Sequence, residues 1–171
     1  MSTESWNQLD FPSSDVTVVQ ATGLWGKVTI FNIYNDGKSA ETTNLLTDFH
    51  RRNQATLERA ETGEAHIIWL GDFNRHHPCW DNPEDTRLFT NEATEAAEKL
   101  IEALADAGLE MALPSGIPTH EHSVTKRWSR LDQVFLSDQS SGLLTSCDTQ
   151  PTSSSHDHNT TCSTMAATMT P

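Results

Sequence analysis

Basic residues are scarce. Lys and Arg number 11 against 24 Asp and Glu, a formal net charge of −13 and a pI near 4.8. A broad phosphate-binding surface is thereby excluded, because each neutralised phosphate needs a cation to displace counterions. Any contact with nucleic acid has to be local. Cysteines number three, Cys79, Cys147 and Cys162, with no close pair. They fit neither a disulfide framework nor a CxxC metal knuckle, and they suit a reducing compartment. Long apolar runs are missing too: hydrophobic content is 35% and mean hydropathy −0.53. No run reaches the length of a membrane span. The opening stretch, MSTESWNQLDFPSSD, lacks the charged-then-apolar order of a signal peptide. The expectation is an intracellular protein, nuclear or cytoplasmic, with no membrane partner.

What is present is an alternation of strand and helix signals. DVTVVQATG and GKVTIFNIYND are rich in β-branched residues and meet at Gly23 to Gly26, which predicts an antiparallel hairpin. In the second strand Val28, Ile30, Asn32 and Tyr34 share one face, and Thr29, Phe31 and Ile33 the other. Leu45, Leu46, Phe49 and Leu57 recur at helical spacing between Ser39 and Ala60, with Ser39 as the cap. The continuous apolar run HIIWLG reads as a strand buried on both faces. A second helix carries Ala96, Ala97, Leu100, Ile101 and Leu104 on one side. Thr90 or Asn91 would start it, and Gly108 sits at its left-handed end. LEMALP and RLDQVFLS read as further strands. From Ser140 onward Ser and Thr dominate, and TTCSTMAATMTP shows no strand pattern of strength. The fold class is α/β. The expected organisation is a polar segment over 1–14, a domain over 15–138, and a poorly ordered Ser/Thr-rich tail over 139–171.

Four places put polar groups at predicted strand ends: Tyr34-Asn35, Asp72-x-Asn74, Asp132 and Asp157-His158. Singly, each is an ordinary turn residue. Together they match the needs of phosphodiester hydrolysis. The phosphate charge repels nucleophiles, so the chemistry calls for a hard cation, a base and donors to the developing oxyanion. Carboxylate and amide oxygens suit Mg²⁺, and a His held by an Asp suits proton transfer or charge stabilisation.

NIYND, IIWLGDFNRHHPCWD, PTHEH…RWSRLDQVFLS and SHDH occur in the order seen in the endonuclease/exonuclease/phosphatase superfamily. From Asp15 to His158 the chain resembles the apurinic-type endonuclease domain of LINE-like retrotransposons. GDFN followed by HHPCWD is the most specific element. The resemblance implies a four-layered α/β sandwich, mixed or antiparallel sheets flanked by helices. It implies Asp72 as general base or metal ligand, and Asn74 on a phosphate oxygen. Asp157 would bind the metal, Mg²⁺ or Mn²⁺. His158 would contact the scissile phosphate, with Asp132 fixing its ring and Tyr34 donating nearby. The family's first two strands, which supply an Asn and a metal-ligating Glu, have no counterpart here. The final motif reads His156-Asp157-His158, without the apolar strand that normally follows. The chain is thus expected to be an incomplete sandwich, N-terminally truncated and degenerate at its C-terminal end, with weak or lost activity.

Local DNA contact is expected at TKRWSR, through Lys126, Arg127 and Arg130. Trp80 and Trp128 are candidates either for base stacking or for packing. Three other readings compete. One is a zinc site built from His76, His77, His120, His122, His156, His158 and Cys79. Another is a non-catalytic remnant or binding module of the same fold. The third is a phosphatase of the same superfamily.

Overall fold

The structure, a computed structural model, describes residues 5–24, 26–60, 64–141, 144–150 and 164–169. Its centre is a six-stranded mixed sheet. β1 (Ser5–Leu9), β2 (Val16–Gly23) and β3 (Gly26–Tyr34) form an antiparallel meander, with Gly23 opposite Gly26 at the predicted hairpin. A crossover follows: α1 (Glu41–Leu57) carries the chain over the sheet to β4 (Glu64–Asp72), which lies parallel to β3. α2 (Asn91–Asp106) then leads to the short β5 (Leu109–Met111). β6 (His120–Glu121) and β7 (Trp128–Ser129) make a separate small hairpin. β8 (Asp132–Ser137) inserts antiparallel between β4 and β5, so the strand order is β1-β2-β3-β4-β8-β5. α3 (Asp138–Ser141) is a single turn, followed by the antiparallel pair β9 (Leu144–Gln150) and β10 (Thr164–Met169).

Period-two alternation divides the sheet's side chains between two apolar layers. Phe31, Ile33, Ile67, Trp69 and Phe135 pack against Leu46 and Leu57 of α1 and Leu100 and Leu104 of α2. Ile68, Val134 and Leu136 face the other way, together with Val28, Ile30 and Leu70, and Cys147 of β9 packs there. The run in β4 is buried on both sides for this reason, as its sequence predicts.

Each helix end has an identifiable cause. Thr90 caps α2, its hydroxyl accepting from Ala93 N at 3.2 Å, and Gly108 follows with φ +61°. Ser39 does not cap α1. Ala40 holds that position without a side-chain bond, and the Ser39 hydroxyl reaches only Glu41 N at 3.3 Å. At the far end of α1, Lys27 of β3 donates to the Thr56 and Arg59 carbonyls, placing a cation where the helix dipole favours one. His50 of α1 is 5% exposed and stands edge-on to Trp69. Neither of its ring nitrogens has a hydrogen bond, and the Glu58 carboxylate lies 3.8 Å from Nε2.

Two regions differ from the sequence expectation. The polar N-terminal segment contains β1, whose residues are mostly exposed and whose order comes from pairing with β2. TTCSTMAATMTP, expected to lack a strand, contains β10. Thr is a good strand former, and backbone pairing with β9 needs no apolar alternation. Among the described residues no helix is long and apolar enough to cross a membrane.

Gly71 fixes the approach of β4 to β3. Its φ is +130°, and a Cβ there would lie 2.0 Å from the Ile33 carbonyl oxygen. Gly71→Ala is therefore expected to lose about 3 kcal/mol or more, read by denaturant unfolding. A change within about 0.5 kcal/mol would mean that the two strands do not meet this closely.

Candidate active site

The register of three adjacent strands builds a polar row. Tyr34 lies opposite Asp72 across the parallel β3–β4 pair, and Asp72 lies opposite Asp132 across the antiparallel β4–β8 pair. Tyr34 shares its face with Ile30, Asp72 with Ile68, and Asp132 with Val134. All three therefore project on the side away from α1 and α2, where the apolar layer gives way to polar groups. Tyr34 is exposed, while both carboxylates are half-buried.

The loop after β4 turns back at once. Asn74 has φ +46°, and its N–H donates to Asp72 Oδ1 at 2.9 Å, an Asx turn. Its side-chain amide donates to the Asn35 carbonyl at 2.6 Å, and Asn35 N donates to the Asp72 carbonyl at 2.8 Å. The amide expected on a phosphate oxygen thus also ties the β3 and β4 loops together. Thr119 supports the other flank. It is fully buried, and its hydroxyl accepts from Leu131 N at 3.2 Å and Asp132 N at 3.0 Å. Next to it, His120 of β6 lies close enough for its charge to act on both carboxylates. Sequence reasoning placed His120 only in a zinc set and missed Thr119. The PTH step before RLD was the available signal.

Both carboxyls titrate above the ordinary Asp value of 3.8. For Asp72 the main cause is burial, offset by the Asn74 amides and His120. Burial also leads for Asp132, opposed by the Thr119 hydroxyl and reinforced by repulsion from Asp72. Two hard oxygen donors that resist ionising together fit a divalent cation, which would relieve that repulsion. Asp157 and His158, expected as metal ligand and phosphate contact, lie outside the described residues. Among the described residues no group of three or more His, Cys, Asp or Glu side chains is placed to hold a metal, which leaves the zinc reading without a cluster there.

HHPCWD has a structural explanation. Asp81 is 2% exposed and accepts from His77 N at 3.1 Å and Arg130 N at 3.0 Å, with His76 Nδ1 at 3.2 Å. Trp80 is buried, its indole donating to the Arg75 carbonyl. It packs and does not stack on bases. Arg130 must also be reassigned. It is 1% exposed, and its guanidinium donates to the Leu113, Pro114 and Trp80 carbonyls. Desolvation lowers its pKa to about 10 even beside Asp81. A group so enclosed does not reach a DNA phosphate. Lys126, Arg127 and Trp128 remain exposed on the β6–β7 hairpin, with Lys126 Nζ 3.7 Å from Glu121.

Two outcomes follow from these environments. Stability linked to a raised Asp pKa is complete below the unfolded value near 3.8 and is lost as pH rises through the folded value. Asp132→Asn should therefore raise Tm at pH 7, with the gain shrinking as the pH is lowered towards that range. A lower Tm at pH 7 would show that ionised Asp132 stabilises the fold. Arg130→Ala should cost about 3 kcal/mol or more by leaving three carbonyls unmatched and a cavity in place of the side chain, and a thermal melt or denaturant titration would read it.

Comparison with known proteins agrees with this layout. The model of the endonuclease-reverse transcriptase family matches residues 28–162. The endonuclease domain of TRAS1, a telomere-specific non-LTR retrotransposon, superposes with a TM-score of 0.67 at 18% identity, covering 96% of this chain and 68% of that one. The 3′-5′ exonuclease NExo from Neisseria meningitidis gives 0.64 at 15% identity, over 98% and 71%. The AP endonuclease LMAP from Leishmania major gives 0.70 at 14% identity, over 98% and 62%. No curated protein sequence matches the chain. A six-stranded mixed sheet with helices on one face, a polar row across its central strands and a family match over most of its length make this chain a member of the endonuclease-reverse transcriptase family, within the endonuclease/exonuclease/phosphatase superfamily.

Proposed function

We propose that the chain is a metal-dependent phosphodiester hydrolase of the DNA endonuclease type with weak activity. The observation that carries this reading is the register that sets Tyr34, Asp72 and Asp132 side by side on one face. Phosphodiester cleavage needs an ionised base near the attacking water and donors to the phosphate oxygens. Asp72, raised by burial yet tied by Asn74, takes the first role. The exposed Tyr34 hydroxyl supplies a donor at the same edge. Asn74, held at φ +46°, offers the rest of its amide to a phosphate oxygen. Asp132 is braced by Thr119; Asp157 and His158, outside the described residues, would share the metal with Asp72 and contact the phosphate, with Asp132 fixing the His158 ring. When bound, Mg²⁺ or Mn²⁺ supplies neutralisation of the phosphate charge.

Asp72 and Asp132 stand side by side across the β4–β8 pair. The second reading is a binding module of the same fold, which predicts salt-dependent DNA binding without turnover. The DNA-bound 3′ phosphatase NExo supports DNA as the substrate class and keeps phosphate-monoester chemistry within reach of the same residues. Lys126, Arg127 and Trp128 are the local contacts this reading uses.

A nicking assay on supercoiled and abasic DNA with Mg²⁺ or Mn²⁺ tests the proposal. Slow, metal-dependent nicking is expected, lowered about 10²- to 10⁴-fold by Asp72→Ala. Cleavage that survives that substitution would remove Asp72 from the mechanism. Binding with no cleavage in either protein would favour the binding module.

A further inference from the structure

On the α1–α2 side of the sheet, joined to the polar row through Asn74, lies a cavity of about 500 Å³. Its walls come from the loops after β3 and β4 and from the start of α2. The volume suits a nucleotide-sized group. Three features there are matched to an anion. First, the starts of α1 and α2 both border it, through Ser39 and Ala40 on one side and Thr90 and Ala93 on the other. Helix N-termini carry positive partial charge and free N–H groups, and α1 has no side-chain cap.

Second, Arg75 lines the cavity and is 4% exposed. It donates to the Asn74 carbonyl at 3.1 Å and to the Ser39 carbonyl, while Nε has no partner. No carboxylate of the described residues stands within ion-pair distance of it, and Asp36 acts only through its field. A buried cation bound only to carbonyls lacks the anion that ordinarily balances its desolvation. Third, Lys38 and Lys99 stand at the same rim. Three of the chain's 11 Lys and Arg residues thus meet in one recess of a protein with net charge −13. Glu92 and Glu95 also border it, so the recess is selective in where it accepts negative charge and is not a general basic surface.

We infer that this cavity receives a phosphate of the nucleic-acid strand, one removed from the phosphate held at Tyr34, Asp72 and Asp132. Asn74 is the joint between the two places, since it hydrogen-bonds Asp72 and lines the cavity. A strand crossing Asn74 would put one phosphate on each side of it. The inference rests on the hydrolase reading for the strand, whereas the recess itself is defined by Arg75, the two lysines and the two helix starts.

The test separates these parts. The full chain, in EDTA, is titrated with inorganic phosphate and then with a short single-stranded oligodeoxynucleotide, following backbone amide resonances. Both probes should shift Ser39, Arg75 and Ala93, and Lys38→Ala/Lys99→Ala should weaken both about tenfold. The same double substitution should reduce the salt slope of oligonucleotide binding by about 0.7, the share of one phosphate on a single strand. Unmoved amides at the recess, or an unchanged affinity and slope in the variant, would overturn the inference. So would phosphate shifts there without oligonucleotide shifts, since the strand would then lie elsewhere. Nicking by wild type that persists while the recess stays silent would overturn this inference and leave the hydrolase reading intact. Recess shifts with both probes and no nicking would do the reverse.

Discussion

At Gly71, β4 runs so close to the Ile33 carbonyl of β3 that a methyl group has no room. This contact sets the parallel register, and the register sets the chemistry. One residue later, Asp72 pairs with Tyr34 on one side and Asp132 on the other. A slip of β4 by one residue would turn Asp72 towards the helices and away from Tyr34 and Asp132. The glycine in GDFN is thus the geometric condition for the aspartate that follows it. Asn74 then completes the turn by spending its amide on Asn35 and its N–H on Asp72. The site is built by strand pairing first and by loop hydrogen bonds second.

The long loop after β4 owes its shape to a different set of forces. Asp81 and Arg130 are both buried, and each is satisfied mainly by backbone groups. Arg130 keeps Nε unmatched, but its two terminal nitrogens meet three carbonyls, which offsets much of the cost of burying its charge. Through them the loop, the turn at Leu113 to Gly116 and the start of β8 become one unit. Asp132 inherits its position from that unit, with Thr119 as the last link. HHPCWD therefore acts on the site at a distance, by locating β8 against β4.

The elements legible in the sequence are those whose signal is local. The β2–β3 hairpin follows from β-branched runs and a glycine turn, α2 from Thr90, its apolar stripe and Gly108, and β4 from its apolar run. β1 and β10 were not legible, because an exposed strand is ordered by its neighbour's backbone and leaves little side-chain pattern. The cap of α1 shifted by one residue, where Ser39 and Ala40 compete within a single turn. For the site, Tyr34, Asp72, Asn74 and Asp132 were found at strand ends, but their adjacency depends on non-local pairing. Arg130 misled because a basic run looks the same whether its guanidinium meets phosphate or three carbonyls. His120 and Thr119 were passed over since a hairpin brings them to the carboxylates, not their spacing along the chain.

The ring of His50, wedged against Trp69 without a hydrogen bond, carries a consequence for acid tolerance. Burial depresses its pKa, with Glu58 pulling weakly the other way, and His66 is depressed for the same reason. Imidazoles kept neutral by the fold lend it strength above their unfolded value of 6.5 and withdraw that strength on acidification. The two aspartates behave in the contrary sense. Opposed titrations of this kind work against the fold from both directions. Between the carboxylate and imidazole ranges both contributions are withdrawn, so stability passes through a trough there.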